Sequence, residues 1–354
     1  MTSTERIRAM IAGKPVDQIC QSAWWHMPMV DKNPKDLAKA IIDFTENNHF
    51  DFVKMMYNTL FFAQNFGVEV AYSQDPLVWM PKVVHQVINH PADFKKFRPI
   101  SVTEGNLGRQ LEATKIVIDH FQGTVPIVGT TFTDLSFYKD ILTFGWNECV
   151  LAGMEYHRQE LHDALEIINE QNVRWIEALA EIGVDGMFIA SHYATDDWLD
   201  DAAFDEFCRP YDLKLIEAAN RKMWFNMFHV HGSGKLSFHR FVDYPVQALT
   251  WEDIWGAPDC TSFADAAKLV DDRKIFIGGI EMWSDYYSAS NDREEVKERL
   301  KQRCRDAVNA VGKDRFILAP GCGAPLDVPP YRFTLQHEAV MEVTEELRAA
   351  GKCC

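Results

Sequence analysis

The chain has 354 residues, a formal net charge of −16, and 47% hydrophobic against 25% charged residues. This is ordinary globular composition, long enough for one large domain or two smaller ones. The charge and the lack of any basic run argue against nucleic acid as a partner, and no apolar window approaches the ~20 residues that a bilayer span requires.

The opening residues 1–13 carry the charges and small residues of a first helix and lack the apolar core of a signal peptide. A cytoplasmic protein is the expectation. Apolar runs at 51–56, 125–129, 186–190, 224–228, 246–249, 275–278 and 316–319 predict strands. Amphipathic patterns with apolar residues three and four apart predict helices at 107–121, 156–182, 203–220, 293–311 and 333–350. Gly123, Gly183, Gly312 and Gly351 stand at or near helix ends, where glycine supplies the stop. Sustained strand–helix alternation predicts a parallel sheet with helices outside it. No G-x-G-x-x-G opens a first helix, so a dinucleotide-binding sheet has little support. The expected fold is therefore α/β, a (β/α)8 TIM-type barrel forming one domain over residues 1–354. An N-terminal helical cap of about 30 residues is expected to cover one end. The eight cysteines show no dense framework of the secreted kind, and reduced thiols are expected, with Cys353 and Cys354 in a frayed tail.

In such a barrel the chemistry sits just after strand C-termini. The polar residues there are Tyr57, Asn58, Thr131, Asp134, Ser191, His192, Tyr193, His229, His231, Trp251, Glu252, Asp253, Glu281 and Cys322. Phe228-His-Val-His-Gly232 puts two imidazoles two residues apart, on one face of a strand end. Gly321-Cys-Gly323 follows a later strand and offers a thiolate between two glycines. Two imidazoles and one thiolate hold zinc with a position left open, the arrangement of a catalytic rather than a structural site. The same three residues could hold another metal, such as iron or cobalt.

The segment from Leu318 to Pro330, reading Leu-Ala-Pro-Gly-Cys-Gly-Ala-Pro-Leu-Asp-Val-Pro-Pro, and the H-x-H segment resemble the uroporphyrinogen decarboxylase superfamily. Within it they look like the cobalamin-dependent methyltransferase branch, which includes methylcobalamin:coenzyme M methyltransferases. The opening Thr4-Glu-Arg-Ile-Arg-Ala-Met-Ile-Ala-Gly-Lys-Pro15 and Gly183-Val-Asp-Gly-Met-Phe-Ile189 fit the same pattern. The resemblance implies zinc bound through an H-x-C pair and a distant Cys. His229 and Cys322 match the family His and second Cys, whereas His231 stands where the first Cys is usual. One thiolate in place of two makes the metal a stronger Lewis acid and leaves the acceptor open. Glu252 is the candidate for an exchangeable fourth ligand, with Asp253 its competitor. The decarboxylases themselves use an Arg-rich N-terminal motif, and this chain has only Arg6 and Arg8 before Arg98. Its corresponding stretch, Ala23-Trp-Trp-His-Met-Pro28, is aromatic and uncharged.

The resemblance thus implies a zinc-dependent methyltransferase. It would move a methyl group between a small-molecule thiol, or a methyl ether or thioether, and a corrinoid protein carrying methylcobalamin or cob(I)alamin. No D-x-H-x-x-G corrinoid motif is present in this chain, so the corrinoid would arrive on a separate partner; a homodimer is compatible with the sequence. The expected catalytic residues are Glu252, His192, Tyr193 and Glu281, and the expected substrate-binding residues are Trp24, His26, Tyr57, Asn58 and Trp251. Two alternatives stay open. One is a zinc-dependent lyase or decarboxylase acting without corrinoid; the other is a non-catalytic thiol-binding or metal-storage protein. Plain readings also compete at single positions. Asp196, Asp197, Asp200 and Asp201 read as a loop and helix start, residues 299–305 as a solvated basic helix face, and Gly232-Ser-Gly-Lys235 as too short for a phosphate loop.

Overall fold

The run Phe316–Pro320 is buried at every position, as a strand covered on both faces requires. The same holds for Ile275–Ile280 and Gly186–Ser191. The computed structural model describes residues 1–142, 147–231, 235–253, 261–286 and 290–351. Gly232, Cys260, Cys353 and Cys354 lie outside the described residues.

Ten strands occur among the described residues: β1 Cys20–Gln21, β2 Val53–Lys54, β3 Glu69–Ala71, β4 Lys82–His85, β5 Ile127–Phe132, β6 Gly186–Ser191, β7 Met227–Val230, β8 Ala248–Trp251, β9 Ile275–Ile280 and β10 Phe316–Pro320. β3 and β4 form a separate hairpin. The other eight make one parallel sheet in the order β1-β10-β9-β8-β7-β6-β5-β2. Its two end strands come together: the Asp51 amide donates to the Gln21 carbonyl at 2.8 Å, and Ser22 Oγ donates to the Phe52 carbonyl at 2.9 Å. The sheet therefore curls into the expected (β/α)8 TIM-type barrel, with helices α2 Pro34–Asn48, α3 Gly105–Phe121, α6 Arg158–Ile182, α8 Arg209–Asn220, α10 Arg293–Val311 and α11 Tyr331–Ala349 around it.

Helix α1, Ser3–Ile11, supplies the N-terminal cap. Thr2 and Glu5 form a reciprocal capping box at its start. Its Ile7 and Met10 pack into the interior cluster with Phe52 and Phe225. Arg6 ties the cap down through Asp51 at 2.6 Å and Asp17 at 2.7 Å. The cap is smaller than expected, because Cys20 and Gln21 belong to the barrel wall. α2 was not anticipated either, although Asn33 accepts from the Lys35 and Asp36 amides and Pro34 stands in its first turn.

Side-chain alternation divides the core in two. Phe188, Met227, Ala248, Ile277 and Ile317 point inward and pack on one another. Their neighbours Met187, Phe228, Leu249, Phe276 and Leu318 point outward, under the helices. Pairing across the sheet keeps the parity in step, since Ala190 lies opposite His229 and His229 opposite Thr250. The inward row therefore ends, at the C-terminal mouth, in His192, His231 and Glu252.

Candidate metal centre

β7 carries His229 inward, and His231, two residues on, extends the same row. Their rings stack with centroids 5.2 Å apart. Cys322 comes from the turn after β10, three strands away, and its Sγ lies 3.6 Å from His231 Nδ1. The ligand atoms of His229, His231 and Cys322 all lie within 4.8 Å of one another, close enough to hold one metal ion.

The state of His229 is decisive. Its Nδ1 donates to the Thr250 carbonyl at 3.2 Å, which leaves the lone pair on Nε2. That Nε2 is buried and has no hydrogen-bond partner among the described residues. A buried orphan acceptor is costly unless something binds it, and a metal ion fits. Burial, then His231 and Lys54, hold the His229 imidazolium far below its ordinary range, so the ring stays a neutral donor. Burial likewise lowers His231, with Lys139 and Lys54 adding to it and Glu252 opposing. Burial pushes the Cys322 thiol up, while the Gly323 amide and Lys54 favour its thiolate.

Glu252 follows β8 and is nearly buried; burial, then the Cys322 thiolate, push its carboxyl up to about 8. It abuts the Cys322 turn directly. A Cβ added at Gly321 would sit 2.7 Å from the Glu252 Cα and 2.8 Å from its Cγ, so only glycine permits this approach. Asp253 is spent elsewhere, accepting from the Gly279 amide at 2.7 Å.

Among the other residues expected at the site, several do converge. Trp24 is buried with its ring edge-on to Phe188 at 5.5 Å. His26 stacks on Trp79 at 4.9 Å, and burial, then Lys54, lower its pKa to about 3. The segment is pinned to the cysteine loop, because the Ala324 amide donates to the Trp24 carbonyl at 2.9 Å. His192 lies with its ring 5.3 Å from that of His231, and its Nδ1 is 3.2 Å from the Lys139 ammonium.

Trp251, Tyr57 and Tyr193 point away from the metal residues, whereas Glu281 lies near enough to Glu252 to raise its carboxyl. Trp251 faces outward between Phe238, Phe263 and Phe276, and its indole N–H donates to the Thr261 carbonyl at 2.7 Å. Tyr57 packs on Phe61 and Trp175, with its hydroxyl 3.1 Å from Thr114 Oγ1. Tyr193 is buried outward and donates to Asn147 Oδ1 at 3.1 Å. Asn58 joins a buried amide network with Asn106 and Gln64. The Glu281 carboxylate accepts the Trp283 and Ser284 amides of its own turn. In the acidic stretch, Asp200 caps a helix through the Ala203 amide at 2.8 Å.

Two lysines were not anticipated. Lys54 of β2 points inward, 4.3 Å from the centroid of the Phe188 ring, and burial lowers its pKa to about 7, with the Cys322 thiolate opposing. Lys139, in α4 (Asp134–Leu142), reaches the mouth through His192. Inward parity on β2 was the available signal for Lys54; nothing in the sequence pointed to Lys139.

The sequence profile described as uroporphyrinogen decarboxylase (URO-D) matches residues 3–343. The chain belongs to this family. Among URO-D relatives, the methylcobamide:CoM methyltransferase MtaA of Methanosarcina barkeri is 23% identical over 351 residues, covering 92% of this chain and 94% of its own. The methylcobamide:CoM methyltransferase MtbA of Methanosarcina acetivorans is 22% identical over 251 residues, covering 66% and 70%. A solved methyltransferase from Methanosarcina mazei superposes with a TM-score of 0.78 at 19% identity, over 97% of this chain and 99% of its own. A B12-independent methionine synthase from a Shewanella species shares the fold, with a TM-score of 0.59 at 12% identity over 95% and 99%.

Proposed function

We propose that this URO-D family member is a zinc-dependent methyltransferase. It would move a methyl group between a small-molecule thiol, or a methyl ether or thioether, and a corrinoid held by a separate protein. The observation that carries the reading is the orphaned His229 Nε2 facing His231 and Cys322, in a chain whose relatives are named methylcobamide:CoM methyltransferases.

His229, His231 and Cys322 would hold the metal, with Glu252 the candidate for an exchangeable fourth position. Bound there, zinc supplies Lewis acidity, lowering the pKa of a thiol so that thiolate exists near neutral pH. The chain's own residues do the rest. Thr250 fixes the His229 tautomer, and Glu252, its carboxyl lifted to about 8, can take or return a proton at the mouth. Trp24, Phe188 and His26 form an aromatic wall that keeps water from the heteroatom.

Outside, Leu77, Trp79, Trp283, Pro325, Leu326 and Asp327 line an open cavity of about 480 Å³. Trp79 and Trp283 are 43% and 55% exposed, an apolar rim suited to a corrinoid-bearing partner. Among the described residues no helix is long and apolar enough to cross a membrane.

The test is elemental analysis of the wild type beside His229→Ala, His231→Ala and Cys322→Ala, followed by thiol-dependent demethylation of methylcobalamin. About one zinc per chain, lost in each variant, with demethylation confined to the zinc-loaded protein, is expected. No metal after zinc reconstitution would overturn the reading. So would a zinc protein that leaves methylcobalamin untouched whatever thiol is added and moves no methyl from an ether or thioether to cob(I)alamin.

A further inference from the structure

Two inward histidines at the barrel mouth have opposite hydrogen-bonding demands, and only one of them suits a metal. His229 donates from Nδ1 to the Thr250 carbonyl and keeps its lone pair on Nε2. His192 is held the other way round. Its Nδ1 lies 3.2 Å from the Lys139 ammonium, a group with only hydrogens to offer, so Nδ1 must accept. An imidazolium could not accept there, so the ring is neutral and carries its hydrogen on Nε2. A metal would need the lone pair at that nitrogen.

One helix sets this arrangement. Ser136 and Lys139 stand one turn apart on α4 and so share a face. Ser136 Oγ accepts from the His192 amide at 3.0 Å and lies 2.9 Å from Thr133 Oγ1, which fixes the backbone, while Lys139 fixes the ring. Ser191 pairs with Val230 across the sheet, so His192 follows beside His231. The two rings stand edge to face at 5.3 Å, and Phe132 packs on His192 at 4.8 Å. The donor nitrogen of His192 is thus turned away from Lys139, on a ring that adjoins a metal residue. A thiolate sulfur at the metal residues has lone pairs to spare, and an N–H on one of them fixes the direction of another.

We infer that Lys139 is a positioning residue: it holds His192 as an N–H donor to the thiol sulfur, and so outside the ligand set of the metal. This rests on the methyl-transfer reading of the site.

Calorimetry and visible spectra of the cobalt-loaded full chain test the assignment, with mercaptoethanol as the thiol. His192→Leu should keep its full metal content and bind mercaptoethanol roughly tenfold to a hundredfold more weakly, as loss of a hydrogen bond to a charged group predicts. The sulfur-to-cobalt band of the adduct should move to lower energy, because the sulfur lone pairs lose that bond. Lys139→Met should show part of both changes. The double variant should show no more than His192→Leu, since Lys139 acts through the ring. Lys139→Arg, still a pure donor, should resemble the wild type.

A His192→Leu protein that loses metal as His231→Ala does would make His192 a ligand and overturn the inference. So would His192→Leu or Lys139→Met binding mercaptoethanol with the affinity and band of the wild type. Additive losses in the double variant, with the band in place, would reduce Lys139 to a structural role. A His192-dependent band shift in a protein that moves no methyl group keeps the donor and sinks the methyl-transfer reading. Failure of the wild type to bind mercaptoethanol overturns the inference, and the methyl-transfer reading then stands or falls on its own assay.

Discussion

His229 Nδ1 lies 3.2 Å from the carbonyl oxygen of Thr250, the residue directly opposite it on the neighbouring strand. A side chain is thereby oriented by a backbone atom of the sheet, which no side-chain substitution can remove. His229→Ala should lower zinc affinity by more than the roughly tenfold to hundredfold that losing an outer-shell partner costs. His229→Gln, which offers a weaker donor, should fall between the two. Competition with a chromogenic chelator measures both, and equal affinity of wild type and His229→Ala would remove His229 from the ligand set.

Zinc uptake should release about one proton per chain near neutral pH. Burial holds both histidines below their ordinary range, so each is already neutral. Burial raises the Cys322 thiol above its ordinary range, so its proton is still bound and must leave when the metal enters. Affinity should therefore rise with pH, roughly tenfold per unit, until the thiol itself ionises. Calorimetry in buffers of different ionisation enthalpy counts the protons. A second released proton would report Glu252, its carboxyl lifted to about 8, joining as the fourth ligand; none would contradict the assignment.

Gly321→Ala should weaken the metal site while leaving the barrel folded. The added Cβ meets the Glu252 Cα at 2.7 Å and the Trp251 carbonyl oxygen at 3.0 Å, both backbone atoms with little freedom to yield. The cysteine turn must shift outward, at a cost of about 1–3 kcal/mol typical of overpacking. A lower melting temperature together with reduced zinc occupancy is expected; unchanged occupancy would show that the turn tolerates the shift.

Trp251→Ala should separate stability from binding. The ring is wholly buried on the outward face, so truncation should cost about 3–5 kcal/mol in chemical denaturation. Zinc and thiol affinity of the folded fraction should not change, since the side chain points away from Glu252. A large loss of thiol affinity would place Trp251 in the pocket after all.

Asp134 is fully buried, accepts from Asn172 at 2.8 Å and Asn169 at 2.6 Å, and burial lifts its carboxyl to about 7. Because its pKa is raised on folding, the native state binds the proton more tightly than the unfolded chain. Its contribution to stability is thus full at acid pH and declines as pH rises from about 4 to about 7, by at most roughly 4 kcal/mol. Asp134→Asn should flatten that part of the stability–pH profile, and an unaltered slope would show that Asp134 is ionised in the native state.

The cluster of His229, His231 and Cys322 was legible because two features agree: an i, i+2 histidine pair at a strand end, and a cysteine held between glycines after a later strand. What the sequence reading lacked was parity. His192, Glu252 and Met56 point inward, and their immediate neighbours Tyr193, Trp251 and Tyr57 therefore point outward, although all six sit at strand ends. Choosing polar residues near a strand terminus gathers both faces, and counting outward from His229 separates them. Lys54 escaped notice because a lysine is almost never buried without a partner, so one inside an apolar run ordinarily reads as reaching out to solvent. β1 was invisible for a simpler reason: two residues carry no periodicity.

The closing seam of the barrel has a mechanical consequence. β1 and β2 contribute two residues each to the ladder, whereas β5, β6 and β9 contribute six. Lys54 belongs to this lightly laced seam, and His229 stands on β7, which contributes four residues on the far side of the barrel. The barrel is thus more compliant where a small molecule would be received than where the metal would be gripped. Amide hydrogen exchange should show the seam opening well ahead of β6 and β7. Guests could then come and go by flexing one side, with the histidines holding their aim throughout.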